Sequence, residues 1–115
     1  MNLFDLKRRV GAAERFLKAL ANRYRLLILC ELHRGEMSVT ALQRSVGLSQ
    51  SAMSQHLARL RGDSLVSTRR QSQTIYYSLA NPDVVRMMTL LHDLYCAPAR
   101  ASGPSRKKRK VPALS

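Results

Sequence analysis

Two cysteines and three histidines are the side chains with the widest chemical range in this sequence of 115 residues. Cys30 and Cys96 lie 66 positions apart. Two cysteines are too few for a disulfide scaffold, and such a pair in an intracellular protein is either inert packing or redox chemistry. His92 and Cys96 are four residues apart, so a helix would place both on one face as two zinc ligands. Because two ligands do not make a metal site, a partner chain or Cys30 would have to complete it.

The histidines do not predict an enzyme. His33, His56 and His92 have no obvious carboxylate and nucleophile partners in the sequence. The chain also lacks a nucleophile elbow, an HExxH motif and a glycine-rich phosphate-binding loop. We therefore predict a protein that is not an enzyme and that carries no cofactor.

The charge balance predicts a polyanionic partner. Twenty lysines and arginines against seven acidic residues give a formal net charge of +13, which is typical of proteins that bind DNA, RNA or an anionic membrane surface. Six of the positive charges lie in residues 100–110, so residues 1–99 still carry +7. No apolar run approaches the roughly 20 residues that cross a bilayer, and the first residues lack the apolar core of a secretory signal. We therefore expect a cytoplasmic protein with no membrane partner.

The elements that would position these residues follow from hydrophobic periodicity. Apolar residues recur at steps of three and four from Leu3 to Leu17, which predicts a first helix of about five turns. Asn22, Ser38 and Ser49 can each cap a following helix, and Asn81 before a proline can cap a fifth. The predicted inner face of the second helix consists of Leu26, Leu27, Leu29, Cys30 and Leu32. The β-branched and aromatic runs 65–70 and 74–79 predict a hairpin around residues 71–73.

The third and fourth helices are typical of a helix-turn-helix, because they are short and meet around Gly47. Apolar residues would hold the two helices together: Ala41, Leu42, Val46, Leu48, Met53 and Leu57. The outside of the fourth helix then carries small polar side chains suited to base edges in a major groove. We predict that the base-reading residues are Gln50, Ser51, Ser54 and Gln55. The alternative is an ordinary solvated face.

Three arginines are the predicted contacts to the DNA backbone. Arg59 lies on the outside of the fourth helix, and Arg69 and Arg70 lead into the tip of the hairpin. Phosphate contact suits these positions better than base reading. The alternative for Arg69 and Arg70 is that their charges protect a strand edge from aggregation.

The stretch LSQSAMSQHLARLR, followed by LVSTRRQSQTIYYSL, resembles the ArsR/SmtB family of bacterial repressors. The resemblance covers about residues 10–96. It is closest to the NolR-like proteins and to the thiol- and sulfide-responsive BigR/SqrR/HlyU-like branch. It implies a winged helix-turn-helix of order α-α-α-α-β-β-α, which reads a pseudo-palindromic operator as a homodimer formed by the first and last helices.

The same resemblance gives the two cysteines a role. Cys30 and Cys96 match the pair that the sulfide-responsive branch joins by a disulfide or polysulfide bridge, with a reactive sulfur species or an oxidant as inducer. The thiolate pair of the family's metal site is missing from residues 31–39, and the alternative metal site on the last helix is also missing. We therefore predict no metal site and a repressor that releases DNA when the cysteines are bridged. The alternatives are a non-sensing repressor with the cysteines as core packing, or a metal-responsive repressor.

The predicted domain covers residues 1–97, and residues 98–115 are predicted to form a disordered basic tail. The run RKKRKV in the tail is similar to a nuclear localisation signal. In a repressor of the bacterial type, we expect a solvated tail that adds non-specific DNA affinity, or else an added segment.

Overall fold

Five helices and three short strands follow one another in residues 2–96, the part of the chain that the computed structural model describes. Their bounds are Leu3–Leu20 (α1), Arg23–Arg34 (α2), Met37–Ser38 (β1), Val39–Val46 (α3), Gln50–Gly62 (α4), Val66–Gln71 (β2), Thr74–Leu79 (β3) and Pro82–Tyr95 (α5). This order confirms the predicted helical fold with a hairpin wing. The predicted domain end at residue 97 and the predicted tail 98–115 lie outside the described residues.

The predicted helix caps are present. Each cap side chain accepts a hydrogen bond from a backbone N–H in the first turn of its helix, at 2.9–3.2 Å. The four capping residues are Asn22, Ser38, Ser49 and Asn81. Each cap stabilises its helix by about 1 kcal/mol relative to alanine. Between α3 and α4 the chain turns at Gly47, whose φ of 81° lies in the left-handed region that glycine adopts without steric cost.

The apolar core joins the inner faces of α2, α3, α4 and α5. Its fully buried large side chains are Ile28, Leu29, Leu42, Met53, Leu60 and Val84. The predicted inner face of α2 is wrong at one position, since Leu27 is 44% exposed and the core takes Ile28 instead. Residues 26–29 are all apolar, and at about 100° per residue four consecutive side chains cannot face the same core.

The wing is a hairpin with a third strand beside it. β2 pairs antiparallel with β3, with Val66 opposite Leu79 and Gln71 opposite Thr74, so only Ser72 and Gln73 form the turn. The strand β1 pairs with the other edge of β3 and was not predicted. A strand of two residues has no alternation that a sequence pattern can detect. Only Gly35 and Glu36 separate β1 from the end of α2, so β1 ties that helix to the wing.

Two helices present apolar side chains to solvent in the single protomer. On α1, Leu3, Val10 and Leu17 are more than half exposed. On α5, Leu94 is more than half exposed and Leu90 is half exposed. The three α1 residues are seven positions apart, so they form one stripe. None of the helices in residues 2–96 is long and apolar enough to span a membrane.

Candidate DNA-binding interface and paired thiols

The buried inner face of α4 packs against the core and thereby fixes the position of the outer face. Met53 and Leu57 are buried in the same cluster as Leu42 of α3, so the two helices form one rigid unit. On the opposite side the four predicted base-reading side chains are exposed: Gln50, Ser51, Ser54 and Gln55. They form two pairs at i and i+4, which places them on neighbouring lines along one helical face. Side-chain amides and hydroxyls of this kind can donate to and accept from base edges.

A groove of about 730 Å³ separates α4 from the wing. Gln50 and Ser54 line it on the helix side, and Gln73 and Thr74 line it on the wing side. Ser51 and Gln55 lie outside this lining. The structure therefore brings two of the four predicted base-reading residues to the groove and leaves the other two on the adjacent exposed face.

The three arginines predicted to contact the DNA backbone differ in their surroundings. Arg59 Nε donates to Asp63 Oδ2 at 2.8 Å. Arg69 donates to both carboxylate oxygens of Glu36, at 3.1 and 2.7 Å, and its guanidinium lies 4.7 Å from the centre of the Tyr76 ring. Arg70 is exposed and makes no hydrogen bond or ion pair within residues 2–96.

The pair between Glu36 and Arg69 is an electrostatic link between the end of α2 and the wing. The hydrogen bond from Arg69 lowers the pKa of the Glu36 carboxyl group, and the same bond raises the pKa of Arg69. Both groups are solvent-exposed, so the pair adds little to the stability of the fold. Sequence patterns could not reveal this contact, because the two residues lie 33 positions apart.

His56 of α4 is half-buried and lies against Tyr24 of α2, away from the exposed polar face. Its ring lies 6.0 Å from the ring of Tyr24, centre to centre. Burial lowers the pKa of His56, and the positive charge of Arg25 lowers it further. His56 is therefore a neutral packing residue at pH 7 and adds no charge to the outer face.

The two cysteines meet at the contact between α2 and α5. Cys30 is half-buried on α2, Cys96 is exposed at the end of α5, and both thiols are free. Both line one cavity of about 240 Å³ with almost entirely apolar walls. Burial raises the pKa of the Cys30 thiol, and the nearby Cys96 thiol raises it further through its charge. The structure thus brings together two residues that lie 66 positions apart in sequence.

Two histidines lie at the rim of the same cavity without forming a metal site. His33 Nε2 is 3.0 Å from Thr89 Oγ1, and the rings of His33 and His92 are 6.2 Å apart, centre to centre. Within residues 2–96 no three histidine, cysteine or acidic side chains are grouped so as to hold a metal ion. The zinc alternative based on His92 and Cys96 would therefore need a further ligand from outside these residues.

Sequence reasoning missed Arg61, which is exposed and lines the groove between α4 and the wing. It lies seven residues after Ser54, which is two helical turns along the same face. That spacing could have identified it.

The exposed polar face of α4, the basic wing and the order of elements define a winged helix-turn-helix DNA-binding protein. The model of the bacterial regulatory protein arsR family matches residues 22–68. Transcriptional activator HlyU of Vibrio cholerae is 50% identical over 96 residues, which are 84% of this chain and 89% of HlyU. Nodulation protein NolR of Rhizobium meliloti is 56% identical over 80 residues, 70% of this chain and 66% of NolR. The biofilm growth-associated repressor of Xylella fastidiosa is 33% identical over 81% of this chain and 82% of the repressor.

Solved structures show the same relationship. Reduced HlyU from Vibrio cholerae superposes with a TM-score of 0.79 at 48% identity, covering 83% of this chain and all of HlyU. A homodimeric winged helix-turn-helix DNA-binding domain from Mycobacterium bovis gives a TM-score of 0.70 at 35% identity, over 78% of this chain and 84% of that domain. The chain belongs to the ArsR family of bacterial transcriptional regulators, whose members are DNA-binding proteins and not enzymes.

Proposed function

We propose that this protein is a repressor that binds a pseudo-palindromic operator as a homodimer and releases it when Cys30 and Cys96 are bridged. The observation that carries the DNA-binding part is the exposed polar face of α4 beside the wing. In this proposal Gln50, Ser51, Ser54 and Gln55 read base edges. Because a glutamine amide pairs with adenine through two hydrogen bonds, the two glutamines carry most of the discrimination.

The proposed backbone contacts are less specific. Arg70 is exposed near the tip of the wing, where it can reach a phosphate. Arg59 and Arg69 are paired with Asp63 and Glu36, and they can contact a phosphate only if these ion pairs are shared or broken. Replacing Arg70 with alanine should therefore weaken binding to every duplex alike. It should also lower the salt slope, which is the slope of the logarithm of the binding constant against the logarithm of the salt concentration, by about one.

The exposed apolar residues on α1 and α5 support the homodimer. A soluble domain gains stability by covering such a stripe, and a second copy related by a two-fold axis covers both stripes at once. In this proposal residues 1–97 form the DNA-binding and dimerisation domain. Two reading heads in one dimer imply half-sites about one helical turn apart, near 34–36 Å.

The shared cavity of Cys30 and Cys96 supports the thiol switch. With an organic persulfide (RSSH) as inducer, one thiolate attacks the terminal sulfur and displaces the thiol RSH, which leaves a cysteine persulfide. The other thiolate then attacks the inner, cysteine-bound sulfur and releases hydrogen sulfide, which leaves a disulfide. In sum, one RSSH and two cysteine thiols give one RSH, one hydrogen sulfide and one disulfide. The apolar cavity walls favour a small inducer with little charge, because a charged group would lose its hydration there.

A route from the thiols to the DNA-binding surface runs along α2. Cys30 lies one turn before the end of this helix, which is followed by Glu36 and then by β1. Glu36 holds Arg69 of the wing, and β1 is hydrogen-bonded to β3. A bridge that pulls α2 towards α5 would therefore move the wing relative to α4, and a coupling of about 1.4 kcal/mol would change DNA affinity tenfold.

Mass spectrometry after treatment with an organic persulfide tests the switch. The expected product is a linkage between Cys30 and Cys96 within one chain, with or without added sulfur. Cys30→Ser and Cys96→Ser proteins should keep the operator bound after treatment. If either variant still releases DNA, or if the wild type forms no linkage, the cysteines serve only as core packing.

A reporter gene behind the protein's own promoter tests the direction of regulation. The Xylella relative is named a repressor and the Vibrio relative is named an activator. We expect expression to rise when the gene for this protein is deleted. A fall in expression would identify an activator with the same DNA-binding mode.

A further inference from the structure

The groove between α4 and the wing has the chemistry of a phosphate-binding surface. Arg61 lines it, with neutral hydrogen-bond donors from α3 and the wing, among them Thr40, Gln43 and Thr74. No aspartate or glutamate is part of its lining in the described residues. Threonine hydroxyls and glutamine amides can donate to the oxygens of a phosphodiester, and arginine adds the charge.

Arg61 differs from its neighbours because its charge is not already engaged. Arg59 is held by Asp63, and Arg69 is held through two hydrogen bonds by Glu36. Within residues 2–96, Arg61 makes no such bond to a carboxylate. An arginine that is held by a carboxylate must give up a charge-assisted hydrogen bond to reach a phosphate, and the carboxylate itself repels the phosphate. Arg61 has neither penalty.

The groove also has the right position for one strand of the duplex. A helix that enters the major groove has a sugar-phosphate strand along each side, and a wing next to it must lie across one of those strands. That strand has to pass between α4 and the wing. Gln50 and Ser54 line the same groove as Arg61, so base reading and phosphate contact are continuous along α4.

We propose that this groove seats one sugar-phosphate strand of the operator, with Arg61 as its phosphate contact and Arg69 as a positioning residue that fixes the wing through Glu36. The proposal rests on the DNA-binding function proposed above and assigns the backbone contact on α4 to Arg61 rather than Arg59.

The test is the salt dependence of DNA affinity, measured by fluorescence anisotropy with the full chain. Arg61→Ala should weaken the operator and a random duplex alike, by about fivefold at 0.15 M salt, and should lower the salt slope by about one. Arg86→Ala is the matched control, since it removes the same charge from an exposed residue on α5 that is paired with Asp83. The Arg86→Ala control should keep the wild-type slope. An Arg61→Ala slope equal to that of the wild type would overturn the assignment.

Glu36→Gln separates the two roles of Arg69. If Arg69 positions the wing, Glu36→Gln and Arg69→Ala should weaken operator binding by similar factors, because each breaks the same pair. If Arg69 is instead the phosphate contact, Glu36→Gln should tighten binding while Arg69→Ala lowers the salt slope by about one, and the proposal for Arg69 is then wrong. Wild-type preference for the operator over random DNA tests the DNA-binding function independently of both results.

Discussion

Replacement of Leu94 by alanine should weaken the proposed dimer. Full burial of a leucine side chain contributes about 1.5–3 kcal/mol. Leu94 is 59% exposed in the single protomer, so covering this exposed part in the dimer contributes about 0.9–1.8 kcal/mol per copy. A two-fold interface contains two copies, which gives about 2–3.5 kcal/mol per dimer. Alanine keeps only the Cβ atom, so most of this is lost and the dimer dissociation constant should rise at least about tenfold.

Sedimentation velocity over a nanomolar to micromolar concentration series measures that constant. Val85→Ala is the matched control, because Val85 lies nine residues earlier on α5 and therefore on the opposite face of the helix. The control should dimerise like the wild type, and Leu17→Ala on α1 should behave like Leu94→Ala. The reasoning is refuted if the wild type is a monomer at micromolar concentration, or if Leu94→Ala leaves the constant unchanged.

Three other predictions concern the reading helix, its cap and the half-buried thiol. Gln50→Ala and Gln55→Ala should each lower operator affinity by roughly 1–3 kcal/mol and spare random DNA; equal losses on both duplexes in a mobility shift would show that neither residue reads bases. Ser49→Ala should lower the free energy of unfolding by about 1 kcal/mol in urea denaturation, because Ser49 Oγ accepts the backbone N–H of Ala52 at 3.2 Å. Since burial raises the pKa of Cys30, alkylation of this thiol in a Cys96→Ser variant should have a pH midpoint above that of free cysteine. The stability that comes from keeping the Cys30 thiol neutral is lost as pH rises through that midpoint. A midpoint at or below that of free cysteine would contradict the burial of Cys30.

Local signals in the sequence predicted most of the fold. The caps at Asn22, Ser38, Ser49 and Asn81 and the turn at Gly47 depend on interactions within a few residues, so composition and spacing were sufficient to find them. The period of α4 likewise separated its buried residues from its exposed polar face. The family model and the relatives confirm the fold class and the regulator class that these patterns and the resemblance predicted.

Features that depend on distant contacts could not be predicted. The strand β1 is too short for a pattern, and it forms because β3 offers an unpaired edge. The choice of Ile28 over Leu27 depends on where α3, α4 and α5 lie around α2. The environments of Arg59, Arg61 and Arg69 differ through their carboxylate partners, and Glu36 reaches Arg69 across 33 positions of sequence.

The most direct test of the proposed function is an anisotropy titration of a labelled duplex from the protein's own promoter against a scrambled duplex. The reduced protein should bind the promoter with clear preference, and persulfide treatment should weaken that binding at least tenfold in the wild type but not in Cys30→Ser. Equal affinity for both duplexes would contradict sequence-specific regulation. Unchanged promoter binding after treatment would contradict the switch alone.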